Sequence, residues 1–380
     1  MATPEPERGR SAARTRPRGL LLSGRLWPGG NAPVLPAASV VLDATGRIAA
    51  LHPGPPPDQP PTDLPLLGGP GHWIGPGLVD AHVHLAFGAP AAGFVRSVVG
   101  LRDLGAPLPD ALAWRSPTVA VAGPLLTAVD GYPTRSWGAA GFGYETDGPS
   151  AAEQAVHRLA DAGVDLVKLA LEPAGGPVPG LDWARRVVRA AHQRGLAVTA
   201  HALTVAMVER ALAAGVDELC HTPTEPLPPR LVERLADSGI PVVSTLHTLA
   251  EGGAEAAVTE NARRLVAAGV RLRYGTDLGN VATRPGAEPR ELVRLAAAGL
   301  GPLGAVRAAT DQAADSAGLS GRGLGLLRTG EPASLGLLTA DPVADPERWR
   351  EPVLTVVAGE RYPGPAADGL TGSVPDRRAD

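Results

Sequence analysis

The sequence holds a single cysteine, Cys220, in 380 residues, so no internal disulfide is possible and a reducing compartment is expected. No apolar run approaches the roughly 20 residues needed to cross a bilayer, which sets a membrane protein aside. The body of the chain lacks a basic block and the net charge is −4, so a nucleic-acid surface is not expected. Arg8, Arg10, Arg14, Arg16 and Arg18 crowd the N-terminus, but no signal-type apolar core follows them. A cytoplasmic location is the expectation, with residues 1–17 a flexible tail.

Lysine is as scarce as cysteine. Of 35 Lys+Arg residues only Lys168 is lysine. Solvated and ion-pairing roles tolerate either residue, so a lone lysine points to work that needs a primary amine. A lysine can lose its proton when buried and react; an arginine cannot. The competing reading is a chance survivor with no special task.

What remains is a globular composition, 44% hydrophobic and 19% charged. A chain of 380 residues exceeds most single domains but suits an α/β barrel with additions. Residues 20–26, 39–43 and 47–51 read as strands, the last two joined at Ala44-Thr45-Gly46. The proline-rich stretch from Pro53 to Pro65 reads as extended loop. From about residue 76, short apolar strands alternate with helical stretches, the sign of βαβ units and a parallel sheet. The strands fall at 77–85, 97–103, 118–123, 165–170, 196–201, 216–221, 241–247 and 270–277. A long Gly/Pro/aromatic loop is expected over 124–149. Eight such units predict a (β/α)8 barrel over residues 71–327. Strands near 334–338 and 353–357 are expected to complete the N-terminal sheet. That gives a small β-sandwich domain from residues 18–70 and 328–362, with 363–380 a disordered tail.

The chemistry gathers at strand ends. Gly77-Leu78-Val79-Asp80-Ala81-His82-Val83-His84-Leu85 reads as a strand whose alternation points His82 and His84 the same way. Two imidazoles side by side can grip one metal ion; the alternative is two ordinary polar residues leaving a strand. Lys168, His201, His221, His247 and Asp277 fall near the ends of later strands. In a barrel of this kind, the ends of the strands carry the active site.

On these residues the chain resembles the amidohydrolase superfamily, nearest its imidazolonepropionase-like and prolidase-like branch. The matching stretches are Gly77–Leu85, Leu101–Gly105, Gly163–Leu169, Thr199–Ala202, Ala214–Thr222 and Tyr274–Gly279. With Gly46-Arg47-Ile48 and Ala308-Ala309-Thr310, the similarity spans about residues 20–360. The resemblance implies that His82, His84 and Asp277 bind one divalent metal and that His201 and His221 bind a second. It further implies that Lys168, carboxylated by carbon dioxide, bridges the two. Zinc suits the mixed nitrogen and oxygen donors, with manganese or iron(II) as alternatives. The implied reaction is hydrolysis of a C–N bond by a metal-bound hydroxide, with Asp277 as the proton shuttle.

The chain also departs from this family. Many relatives carry Gly-Gly-His after strand three, where this chain has Asp130-Gly131-Tyr132-Pro133. Either Tyr132 takes over the substrate contact or the loop recognises something different, and His247 either faces the pocket or is structural. The leading expectation is hydrolysis of a small amide or cyclic amide, and an Xaa-Pro-type dipeptide is the first alternative. A one-metal deaminase and a non-catalytic ligand-binding barrel follow. Relatives of this kind commonly associate, so a homo-oligomer is also implied.

Overall fold

The computed structural model describes residues 19–56, 64–87 and 96–367. The expected tail at 1–17 and everything from residue 368 onward lie outside the described residues. The Pro53–Pro65 loop is described only at its edges.

Both chain ends enter one seven-stranded sheet. Leu20–Leu26 runs antiparallel to Leu35–Leu42, which pairs with Ile48–Pro53. The turn between the last two is set by Asp43, whose Oδ1 accepts from Thr45 N at 2.7 Å and Arg47 N at 3.1 Å. Gly46 follows at φ +81°, and a Cβ there would lie 2.3 Å from the Gly359 carbonyl oxygen. Turns from opposite ends of the chain thus meet where only glycine fits.

An additional strand, Leu66–Pro76, lies at the centre of this sheet. It runs parallel to Leu20–Leu26 and antiparallel to Leu335–Leu338. The expected domain boundary between residues 70 and 71 falls inside it. Pro352–Val357 and Glu360–Pro363 extend the sheet. A separate core of Leu22, Leu42, Ile48, Ile74, Leu335 and Leu354 fills beneath these strands. Each such buried side chain contributes about 1.5–3 kcal/mol.

The middle of the chain is α/β. Leu78–Val83, Val98–Asp103 and Val119–Val121 form one parallel sheet. A second runs in the order Leu272–Arg273, Val242–Val243, Glu218–Leu219, Ala197–Ala202, Leu166–Leu171, Leu125–Ala128, Gly143–Thr146, all neighbours parallel. Apart from the edge strand Gly143–Thr146, these strands are largely buried on both faces, as near-continuous Val/Leu/Ala runs require. Hydrogen bonds link both edges of the three-stranded sheet to the larger one. Asp277 N donates to His82 O at 2.8 Å, His84 N to Leu278 O at 2.7 Å, and Asp165 N to Val121 O at 2.9 Å. Helices cover the outside. In Leu181–Gln193 the buried stripe is Trp183, Ala184, Val187, Val188, Ala190 and Ala191, and Gly195 follows at φ +70°.

Several elements differ from the sequence expectation. The 124–149 stretch contains two strands, Leu125–Ala128 and Gly143–Thr146. The expected strands at 216–221, 241–247 and 270–277 keep ladders of two residues each. Beyond those ladders the backbone bends toward the centre, with Thr245 at φ +45° and Asp277 at φ +56°. Leu246–Leu249 is helical rather than strand, because Glu291 accepts from Leu246 N at 3.0 Å and His247 N at 2.6 Å. Among the described residues no helix is long and apolar enough to cross a membrane.

Candidate active site

His82 and His84 leave the Leu78–Val83 strand on one face, as alternation predicts. His82 Nδ1 donates to the Cys220 carbonyl at 2.8 Å, and His84 Nδ1 donates to the Gly105 carbonyl at 3.1 Å. A carbonyl only accepts, so each Nδ1 carries the hydrogen and each Nε2 keeps its lone pair. A Cβ at position 105 would lie 2.9 Å from His84 Cε1, so glycine makes room for this contact. The two Nε2 atoms are 3.4 Å apart, and they stand 3.3 and 3.4 Å from Asp277 Oδ1. Burial holds the His82 imidazole neutral, far below its usual pKa. Asn280 Nδ2 donates to Asp277 Oδ2 at 3.1 Å and fixes the carboxylate.

Asp80 ties these two segments together. Its carboxylate accepts from Thr276 N at 3.0 Å, from Thr276 Oγ1 at 2.5 Å and from His82 N at 3.2 Å. Burial pushes Asp80 up to about 7 against these hydrogen bonds. Asp103 braces the neighbouring turn, accepting from Leu85 N at 2.7 Å and Gly105 N at 3.1 Å. Arg102 packs below, on the Ala81 carbonyl at 2.7 Å and on Glu218 Oε1 at 2.5 Å.

Lys168, His201 and His221 join from the second sheet. Lys168 is 1% exposed and its Nζ donates to Cys220 Sγ at 2.7 Å. The His221 ring lies 4.5 Å from that of His82 and 4.7 Å from that of His201. His221 Nδ1 shares a hydrogen bond with Thr245 Oγ1 at 2.9 Å. Burial lowers the pKa of both imidazoles. His201 Nε2 donates to Glu172 Oε2 at 3.1 Å, which leaves Nδ1 as its lone-pair nitrogen. Burial alone would raise the Glu172 carboxyl; the His201 and Ala174 N–H hydrogen bonds outweigh it and keep it below the usual range.

The donor set fits a metal ion. Two groups of three ligand atoms lie mutually within 4.8 Å: His82, His84 and Asp277, and His82, Cys220 and His221. Imidazoles with Nδ1 tied to carbonyls are oriented as ligating histidines are. His201 and Lys168 belong to neither group, although His201 packs on His221.

A cavity of about 650 Å³ opens over these atoms, lined among others by His84, Lys168, His201, His221 and Asp277. Tyr132 lines it too, its ring 5.2 Å from that of His201. The Tyr132 hydroxyl accepts from Trp137 Nε1 at 3.0 Å, and burial pushes the phenol up to about 12. His247 is not among the lining residues. Its ring is buried on the Leu246–Leu249 turn, and neither ring nitrogen has a hydrogen-bond partner among the described residues.

Cys220, Glu172, Asn280, Phe87 and Trp137 were not singled out from sequence. Asn280 stands three residues past Asp277 and could have been found by that spacing. Cys220 adjoins His221 in the sequence; Glu172, Phe87 and Trp137 reach the site only through the fold.

An α/β chain that gathers buried imidazoles and a carboxylate at its strand ends has the makings of a metal-dependent hydrolase. Residues 73–361 match the amidohydrolase family, and the chain belongs to that family. It is accordingly a hydrolase of amide-type bonds, in a family whose members generally bind metal ions. No curated protein matches the sequence. Among solved structures, a Xaa-Pro dipeptidase with bound methionine superposes with TM-score 0.77 at 21% identity, over 91% of this chain and 100% of the other. A prolidase complexed with N-methylphosphonate-L-proline gives 0.74 at 21% identity, over 91% and 100%. Phenylurea hydrolase B gives 0.72 at 20% identity, over 95% and 100%. At these identities the likeness concerns the fold.

Proposed function

We propose that this chain is a metal-dependent hydrolase that cleaves a C–N bond in a small amide or cyclic amide. The observation that carries the reading is the convergence of His82 Nε2, His84 Nε2 and Asp277 Oδ1, with carbonyls holding the opposite ring nitrogens. His82, His84 and Asp277 would hold one divalent ion. His201 and His221 would hold a second, with Lys168 between them as its carbamate. Zinc suits these donors, as do manganese and iron(II).

A bound ion supplies Lewis acidity and lowers the pKa of water. The protein's own groups do the rest. Asp277, steadied by Asn280, is aimed to take a proton from the attacking water and pass it to the leaving nitrogen. The Tyr132 hydroxyl accepts from Trp137 and keeps its own hydrogen to donate to a substrate.

The architecture we propose for this chemistry is a closed (β/α)8 barrel over residues 71–327. Supporting it are the hydrogen bonds that join both edges of the three-stranded sheet to the larger parallel sheet. The sheet shared by both chain ends would be the composite β domain, folded on itself as a sandwich around its own core.

The test is metal content by elemental analysis on protein purified without chelator, alongside hydrolysis of simple amides. About two equivalents of metal, with activity lost on chelation and regained on adding zinc or manganese, is the expected result. Full activity in metal-free protein would sink the reading.

A further inference from the structure

Aromatic residues are rare here, 3% of the chain, with only three phenylalanines. Yet four rings gather at the mouth of the cavity. Phe87 stacks on Phe142 at 5.1 Å and 15°. Trp137 stands edge-on to both at 5.6 Å and reaches the His84 ring at 5.4 Å. Tyr132 closes the row, 5.9 Å from Trp137. A cluster that served only packing would be covered. Instead Phe87 is 48% exposed and Trp137 38%, among the most exposed large apolar side chains described. The Trp137–Tyr132 hydrogen bond fixes the wall in place, so its faces stay presented beside the reacting atoms.

The charges around this wall have one sign to spare. The lining bases are His84, His201, His221 and Lys168, each already assigned to the metal centre. Of the two lining carboxylates Asp277 belongs to that centre as well, which leaves Glu172, hydrogen-bonded to His201, as the charge outside it. Although arginine is the chain's common cation, none lines the cavity among the described residues. A substrate carboxylate entering here would meet the Glu172 carboxylate without a guanidinium to pair with.

We propose that this pocket selects an uncharged amide-type substrate carrying a flat aryl group, seated against Trp137, Phe87 and Tyr132, and disfavours substrates with a free carboxylate. The inference rests on the hydrolase reading above and narrows its substrate class. Phe87 and Trp137 grip the aryl face, His84 at the wall's inner edge sets the distance to the carbonyl, and Glu172 repels anions.

The experiment uses the full chain loaded with zinc or manganese. Three substrates are compared by kcat/KM: 4-methylacetanilide, its carboxylated partner 4-acetamidobenzoate, and the dipeptide alanyl-proline. The expected result is a preference for the neutral anilide of about tenfold or more over each of the others. Trp137→Ala should lower the anilide kcat/KM about tenfold more than that of N-methylacetamide, mainly through KM. A faster carboxylated anilide or dipeptide overturns the inference and leaves the hydrolase reading standing. If nothing is hydrolysed, the hydrolase reading falls, and calorimetric binding of the two anilides decides the selectivity. Tighter binding of the neutral member supports it; equal or reversed affinity overturns it.

Discussion

The chain's only lysine lies against its only cysteine: Lys168 Nζ stands 2.7 Å from Cys220 Sγ, and both are buried. The same Cys220 holds His82 through its carbonyl. One residue therefore steadies an amine and an imidazole that come from different sheets. Burial raises the Cys220 thiol, so the sulfur meets the amine as a neutral group. Arginine keeps the charge of Lys168 but cannot form a carbamate. Lys168→Arg should lower bound metal from about two equivalents toward one, with turnover falling about a hundredfold or more. Lys168→Met, which packs without charge, should behave alike while the circular dichroism spectrum is kept. An active arginine variant would remove the carbamate from the mechanism.

Asp277 and Asn280 allow a sharper separation of binding from turnover. Asp277→Asn keeps an oxygen toward the imidazoles and loses the base. Metal content should stay near the wild-type level while kcat falls by about 10²–10⁴. Asn280→Ala removes only the 3.1 Å tether on Oδ2. Its loss should be smaller, about tenfold, and confined to kcat. Wild-type turnover in the Asp277 variant would show that another group moves the proton.

Several residues that line this cavity were legible in sequence for identifiable reasons. His82 and His84 were readable because a strand has a period of two, and Lys168 because a lone lysine among arginines has no compositional cover. The contacts that complete the centre were not. Glu172 reaches His201 from 29 residues away, and Glu218 pairs with Arg102 from 116 residues away. The Leu66–Pro76 strand was hidden by Gly68, Gly69, Pro70 and Gly71, residue types that weaken a strand signal. It forms because its neighbours on both sides supply the pairing. His247 was read as a strand end, but Glu291, 44 residues later, turns that backbone into a helix.

Arg102 and Glu218 form an ion pair only 2% and 6% exposed at their side chains. Removing one partner leaves a buried charge uncompensated. Arg102→Met should cost about 3–5 kcal/mol in urea denaturation, and adding Glu218→Leu should recover much of it. Equal stability of wild type and the single variant would mean that solvent reaches the pair.

Glu291 gives a pH dependence with a definite sign. Its carboxylate accepts from Ser244 Oγ, Leu246 N and His247 N, yet burial pushes it up to about 7 from an ordinary 4.5. Between those values the unfolded chain ionises while the folded chain keeps the proton. The folded state then binds more protons, so stability falls as pH rises through that window. Relative to Glu291→Gln, which cannot ionise, the wild type should lose about 3 kcal/mol between pH 4.5 and 7. Paired denaturation curves at the two pH values read the difference directly. A constant gap between the proteins would mean that the folded carboxyl titrates as the unfolded one does, the three donors offsetting burial.

Tyr132 separates a hydrogen-bonding role from an apolar one. Its ring packs by His201 while its hydroxyl faces Trp137. Tyr132→Phe keeps the ring and deletes only the hydroxyl. A substrate carbonyl or amide held by that hydroxyl would lose one neutral hydrogen bond, worth about 0.5–1.5 kcal/mol. KM should accordingly rise a few-fold to about tenfold, with kcat changing less. The phenol is pushed up to about 12, so it keeps its proton at every working pH. The pH–rate profile should therefore have the same shape in both proteins. If Tyr132→Phe shifted a limb of that profile, the hydroxyl would be exchanging protons with the reaction rather than orienting the substrate. An unchanged KM would instead assign Tyr132 to the aromatic wall alone, with its hydroxyl serving only to hold Trp137.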